Sequence, residues 1–251
     1  MGAALVTGGG KRIGRAIALA LGRAGWNVAV HYNGSRRDAE AVVREIRAMG
    51  RTAAAVGADL AREKDVAGLV AKAAKTVGTL TCLVNNASVF ERDEALTTTR
   101  KGWDRHMEVN LRAPFVLIQN FARQCPRGRE GNVINLIDER VWNLTPHFVS
   151  YTLSKSGLWS LTRTLALALA PRIRVNGIGP GPTLPSPRQS VAQFRRQCAM
   201  MPLGRGTTPE EVANAVLFIL SARAMTGQMI ALDGGQHLAW SQPGERSNPK
   251  E

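Results

Sequence analysis

Cysteine is scarce: Cys82, Cys125 and Cys198 are three residues among 251, widely scattered, with neither CxxC spacing nor a nearby histidine. An odd, dispersed set suggests neither a disulfide framework nor a zinc site, which fits a reducing cytoplasm. His31, His106, His147 and His237 show no ligand spacing either, so no metal is predicted. Long apolar runs are missing too. Nothing approaches the ~20 residues that a membrane helix needs, and "MGAALVTGGG" enters strand-like sequence without the layout of a signal peptide. The chain reads as a soluble protein with no membrane partner. Tyrosine is down to two residues and phenylalanine to six, which leaves little to stack bases.

That last shortage bears on the charge. A formal net charge of +14 invites a nucleic-acid reading. The basic residues, however, are spread along the whole chain, and "RRDAEAVVREIRAMGR" (36–51) mixes arginine with acids at helical spacing. A solvated basic surface is the simpler reading, and nucleic acid is not predicted as a partner. Such a surface still draws a polyanionic small ligand.

What is present is alternation. "AALVT" (3–7), "NVAVHY" (27–32), "TAAAVGADL" (52–60), "TCLVNNAS" (81–88), "GNVINLID" (131–138), "RIRVNGIGPG" (172–181) and "GQMIALDGG" (227–235) read as strands running into turns. Between them lie helical patterns at 13–25, 37–50, 63–78, 101–125, 150–170 and 209–221, the last capped by Thr208. Seven strands alternating with helices predict one α/β domain with a doubly wound, mostly parallel sheet covered on both faces. Ligands bind such sheets beyond the carboxyl ends of the strands. The stretch 179–208 is too long for an ordinary connection and reads as a substrate lid. The domain is placed at 1–238, followed by a polar, turn-rich tail at 239–251.

"TGGGKRIG" (7–14) lies between the first strand and the first helix. Glycine lets the backbone approach a pyrophosphate, and a helix N-terminus offers it unpaired N–H groups. Lys11 and Arg12 add positive charge there. An NAD site carries an acid near the end of the second strand, whereas NADP needs cations and hydroxyls for its 2′-phosphate. Here that position holds Asn33, Ser35, Arg36 and Arg37, with the first acid at Asp38, so NADPH is predicted. Asp59 in "ADL" reads either as a partner for adenine or as a helix cap, and "NNAS" (85–88) as cleft lining or an Asx turn.

Tyr151 and Lys155 stand four apart and would share a helical face. An ammonium beside a phenol favours the phenolate and makes the pair a proton donor near neutrality. A YxxxK match is also a common surface pair. Asp138, thirteen residues before the tyrosine, reads as a site carboxylate or a turn cap. Phe90 reads as a stacking ring or as packing.

Taken together, "TGGGKRIG", "ADL", "NNAS", "EVN", "YTLSK", "GPGPT" and "LDGG" resemble, in this order, the short-chain dehydrogenase/reductase family, over the chain to about residue 238. The resemblance implies a Rossmann fold and an NADP site. It implies Tyr151 as proton donor, Lys155 as the residue that tunes it and holds the nicotinamide ribose, and Asn110 as a helix-bending support for a water relay. Cofactor contacts are implied for Thr7, Gly8, Lys11, Arg12, Ile13 and Gly14; for Tyr32, Asn33, Ser35 and Arg36; for Asp59 and Leu60; for Asn86, Ala87 and Ser88; and for Pro180 and Gly181 with Tyr151 and Lys155. A homotetramer would match the family, and the apolar "RTLALALA" (163–170) suggests packing against another subunit.

Two departures stand out: Arg12 replaces a glycine of TGxxxGxG, and Asp138 replaces the usual serine. Both resemble the pteridine reductase branch, which implies a pterin site formed by Arg12, Ser88, Phe90, Asp138 and Tyr151. A pterin has an amidine edge with N–H donors, which a carboxylate accepts. The predicted function is NADPH-dependent reduction of a C=N bond in a dihydropterin or dihydrofolate-like ring. The alternatives are a carbonyl or imine reductase of the same family and a non-catalytic NADP-binding regulator.

Overall fold

The computed structural model describes residues 2–186 and 188–238. Strands β1 (Ala3–Val6), β2 (Asn27–Tyr32), β3 (Ala53–Gly57), β4 (Leu80–Asn85), β5 (Gly131–Leu136), β6 (Ile173–Pro180) and β7 (Met229–Leu232) form one sheet in the order β3-β2-β1-β4-β5-β6-β7. Every pairing between these strands is parallel. β1 is central and pairs with both β2 and β4, so the chain reverses direction across the sheet at β1 and β4. That reversal opens a crevice at the carboxyl ends of these strands.

Because both faces are covered, the strands are apolar at successive positions. Ala3 and Leu5 of β1 enter one core, while Ala4 and Val6 enter the other. Helices α3 (Glu63–Val77), α5 (Ala113–Gln124) and α6 (Val149–Leu169) supply the first core. Helices α1 (Arg12–Arg23), α2 (Arg36–Ala48) and α8 (Pro209–Ser221) supply the second. The far end is pinned by a buried cation. Arg174 of β6 donates to the carbonyls of Ile219, Leu220, Ala222 and Met225 and pairs with Glu130 at 2.5 Å, satisfying the orphan carbonyls at the end of α8.

Strand β3 ends at Gly57 with "ADL" beyond it, as expected of a strand running into a turn, and β7 occupies only Met229–Leu232 of the predicted 227–235. Two further expectations need adjustment. The helix predicted at 101–125 is α4 (Arg100–Met107) and α5 separated by a π-helical turn, Glu108–Arg112. The stretch 179–208 is not all loop: α7 (Val191–Ala199) lies within it, closed by a capping box between Ser190 and Gln193. Thr208 caps α8 as predicted, through the amide of Glu211. The polar tail at 239–251 lies outside the described residues.

Candidate active site

The chain leaves β1 at Thr7 and turns through Gly8, which has φ +62°, and Arg12, which has φ 52°. A side chain at Gly14 could not fit, since its Cβ would lie 2.2 Å from the Gly8 carbonyl oxygen. The turn is held from behind. Thr7 Oγ1 accepts from the amides of Asn86 and Ala87 at 2.9 and 3.0 Å, and Asn86 Nδ2 returns a bond to the Thr7 carbonyl at 2.8 Å. His31 is buried and its ring nitrogens are both satisfied. Its Nε2 is 3.1 Å from the Ala58 carbonyl, so it carries the proton there, and Nδ1 accepts from Gly8 N at 3.0 Å. Burial pushes its pKa down to about 4, which keeps the ring neutral.

Two clefts meet at Arg12, Ile13, Asn86 and Ser88. The first, about 480 Å³, runs over the ends of β1, β2 and β3 and gathers Gly8, Lys11, Gly14, Tyr32, Asn33, Ser35, Asp59, Leu60 and Ala87. Thr7 and Arg36 do not line it. Thr7 is spent on the loop bonds above, and Arg36 points outward with its charge paired to Glu40 at 2.7 Å. Asp38, the first acid after β2, is 3.0 Å from Lys11. Asp59 caps a turn through the Ala61 amide at 3.0 Å while still lining the cleft.

The second cleft, about 280 Å³, opens beyond β5 and β6 and gathers Asp138, Tyr151, Lys155, Phe90, Pro180 and Gly181. Asp138 serves both roles that its position allows. Its Oδ1 accepts from the Arg140 amide at 2.9 Å and caps a 3₁₀ turn, Glu139–Val141. Its Oδ2 accepts from the Tyr151 hydroxyl at 2.7 Å. One turn along α6, Lys155 is buried and donates to the Leu136 carbonyl at 2.8 Å, with Nζ 5.7 Å from the Tyr151 ring centre. Burial draws its pKa from 10.5 to about 8, and the Asp138 charge acts in the opposite direction.

Asn110 sits in the π-helical turn and clamps the loop after β4. Its Oδ1 accepts from Val89 N at 2.8 Å and from Ser88 Oγ at 3.2 Å, and its Nδ2 donates to Val89 O and Ser154 Oγ at 2.9 and 3.1 Å. The extra residue of such a turn aims the amide inward. The same loop is bolted to the start of α6: His106 Nδ1 donates to Ser150 Oγ at 2.7 Å, and Ser150 Oγ donates to Asp93. Phe90 is presented from this loop, stacked on Phe148 with centroids 4.4 Å apart and edge-on to Tyr151 at 4.7 Å. One neighbour of its ring is therefore an aromatic side chain that sequence reasoning did not select.

Arg12 reaches across the crevice, donating to the carbonyls of Pro185 and Leu184 at 2.9 and 3.2 Å, and so ties the glycine turn to the 179–208 stretch. Phe194 and Gln197 of α7, together with Arg140, also line the second cleft and were missed from sequence. The Ser190–Gln193 capping signature could have revealed α7. No sequence pattern announces Phe148, whose φ of +60° is unusual for a bulky residue.

The parallel sheet, its reversal point and the glycine turn define the class of doubly wound, Rossmann-type proteins. The family model described as enoyl-(acyl carrier protein) reductase matches residues 8–237. A 3-oxoacyl-[acyl-carrier-protein] reductase, FabG, of Staphylococcus aureus is 35% identical over 240 residues, 94% of this chain and 98% of its own. Among solved structures, FolM alternative dihydrofolate reductase 1 of Brucella canis, complexed with NADP, superposes with a TM-score of 0.92 at 47% identity, covering 98% of each chain. The Brucella suis protein of the same name, also with NADP, gives 0.91 at 48%, covering 96% of this chain and 97% of its own. A blue fluorescent protein from a metagenomic library, in complex with NADPH, gives 0.87 at 33%, covering 93% and 97%. The chain belongs to the short-chain dehydrogenase/reductase family of oxidoreductases.

Proposed function

We propose that the protein is an NADPH-dependent pterin reductase, adding hydride and proton across a C=N bond of a dihydropterin or dihydrofolate-like ring. The observation that carries this reading is the bond between Asp138 and Tyr151 at 2.7 Å, inside a cleft walled by Phe90. A carbonyl offers only a hydrogen-bond acceptor, to which a carboxylate has nothing to donate. A pterin presents N–H donors, which a carboxylate accepts. The Brucella neighbours, named alternative dihydrofolate reductases, support the same choice.

NADPH fits the chain's own features. The two clefts are continuous at Arg12, Ile13, Asn86 and Ser88, Gly14 leaves the close approach free, and Asp38 is neutralised by Lys11 so that it opposes no 2′-phosphate. When bound, the coenzyme supplies the hydride. Tyr151 gives the proton to the ring nitrogen, and the neighbouring Lys155 ammonium stabilises the charge left on the phenol oxygen. Asp138 holds the amidine edge and orients the tyrosine hydroxyl. Asn110 keeps Ser88 and Phe90 in place. The 179–208 stretch acts as the lid over the ring.

The second reading, a 3-oxoacyl reductase, is favoured by the FabG relatives. Asp138 counts against it, because the family's usual serine donates to a carbonyl and a carboxylate does not. The regulator reading loses ground to the intact Tyr151, Lys155 and Asn110 set. We also propose a homotetramer in the cytoplasm. An apolar groove of about 460 Å³ lined by Met107, Leu111, Phe115 and Leu161, and exposed Leu167 on α6, support subunit packing, and the three free cysteines suit a reducing compartment. A steady-state screen of dihydropterins, dihydrofolate, simple ketones and a 3-oxoacyl thioester, with NADPH and NADH, tests the function. Turnover confined to ketones or thioesters would overturn it.

A further inference from the structure

We propose that Arg188 selects substrates whose tail is anionic, carboxylate or phosphate, over those with a neutral side chain; this rests on the pterin reading above. Arg188 lies between Ser186 and Gln189, two residues that line the second cleft. Its Nη2 donates to the Phe90 carbonyl at 2.9 Å, and its guanidinium carbon is 5.5 Å from the Phe90 ring centre. The group is thus anchored beside the ring that walls the cleft, yet its side chain is exposed and has further donors to offer. No carboxylate pairs with it among the described residues.

The charge around it is one-sided. The stretch 179–208 contains Arg188, Arg195, Arg196 and Arg205 and neither aspartate nor glutamate. Arg205 is neutralised by Glu211 at 2.7 Å. Arg195 and Arg196 are exposed on α7, whose Phe194 and Gln197 are the residues that line the cleft. Of these cations, Arg188 is the one fixed against the aromatic wall. Deeper in, Asp138 presents negative charge beside Tyr151. A ligand complementary to both ends has N–H donors on its flat head and an anion at its tail. A guanidinium recognises carboxylate or phosphate through paired N–H groups, so either tail satisfies it.

The test compares kcat/KM for dihydrofolate, a dihydropterin phosphate and the neutral-tailed dihydrobiopterin in wild type, Arg188→Gln, Arg188→Glu and Arg195→Gln. Arg188→Gln lowers kcat/KM for an anionic-tailed substrate by about 5- to 10-fold through KM, with dihydrobiopterin changed by less than about twofold. Arg188→Glu lowers it further, and Arg195→Gln leaves every substrate near wild type. Which anionic substrate responds, dihydrofolate or the phosphate, identifies the tail. Equal losses on neutral and anionic substrates, no loss on either, or the same loss in Arg195→Gln would overturn the assignment. Absence of pterin turnover by the wild type is a different result, and it overturns the proposed function itself.

Discussion

Asp138 has two oxygens and two partners, a backbone amide of the turn it caps and the hydroxyl of Tyr151. Replacing it separates the two duties. Asp138→Asn keeps an acceptor for the Arg140 amide but removes the charge, and kcat for a dihydropterin should fall about 100-fold, the scale of a lost general acid–base partner. In the proposed mechanism Lys155 sets the pH response. Its pKa of about 8 lies below the ordinary lysine value because the ammonium is buried, so the charge beside Tyr151 is present below pH 8 and lost above it. The pH profile of kcat should therefore decline through about 8. In Asp138→Asn the attraction that raises the lysine pKa is gone, and the decline should move to lower pH; an unmoved decline would contradict the coupling. The stability sign follows from the same shift. Between about 8 and 10.5 the unfolded chain holds a proton that the folded chain has released, so stability gained from this residue rises with pH across that window. Lys155→Met should abolish that rise in urea titrations.

Among the elements, the π-helical turn at Glu108–Arg112 is the one that positions the site. Asn110→Leu leaves the amide and carbonyl of Val89 without their partners, at a cost of about 2–4 kcal/mol for the two groups, measurable by urea unfolding. It also frees the loop that carries Ser88 and Phe90, so KM for pterin should rise together with the loss of stability. Much of the sheet was legible because both-face burial makes strands such as Ala3–Val6 continuous apolar runs, and because glycine and proline end the helices between them. The pairing of Asp138 with Tyr151 was legible only as two coincident motifs, since strand β5 and helix α6 must fold before the thirteen-residue spacing becomes a contact. Helix α7 was hidden because it is short and set inside the long turn-rich stretch 179–208, while its capping box was there to be read. The backbone conformations of Phe148 and Arg12 were beyond reach for a different reason. Their left-handed backbone, costing roughly 1–2 kcal/mol each, is imposed by neighbours far away in the chain. For Arg12 the bonds to Pro185 and Leu184 supply the compensation, so Arg12→Gly should relax the backbone yet loosen the proposed lid and weaken NADPH binding.

At the scale of the whole molecule, a net charge of +14 surrounds a crevice whose proposed coenzyme carries an extra phosphate. NADPH should protect the fold more than NADH. At a hundred times its Kd the gain is about 2.7 kcal/mol, read as a thermal shift that shrinks with added salt. The proposed subunit packing has its own readout. Phe115→Glu places a charge in the apolar groove and should dissociate the assembly in sedimentation without touching the Asp138–Tyr151 pair. The most direct measurement is the ratio of kcat/KM for a dihydropterin to that for a 3-oxoacyl thioester, with NADPH, in the wild type and in Asp138→Ser. The account predicts a wild-type ratio far above one that collapses in the variant. A wild-type enzyme that prefers the thioester, or a ratio indifferent to residue 138, would contradict it.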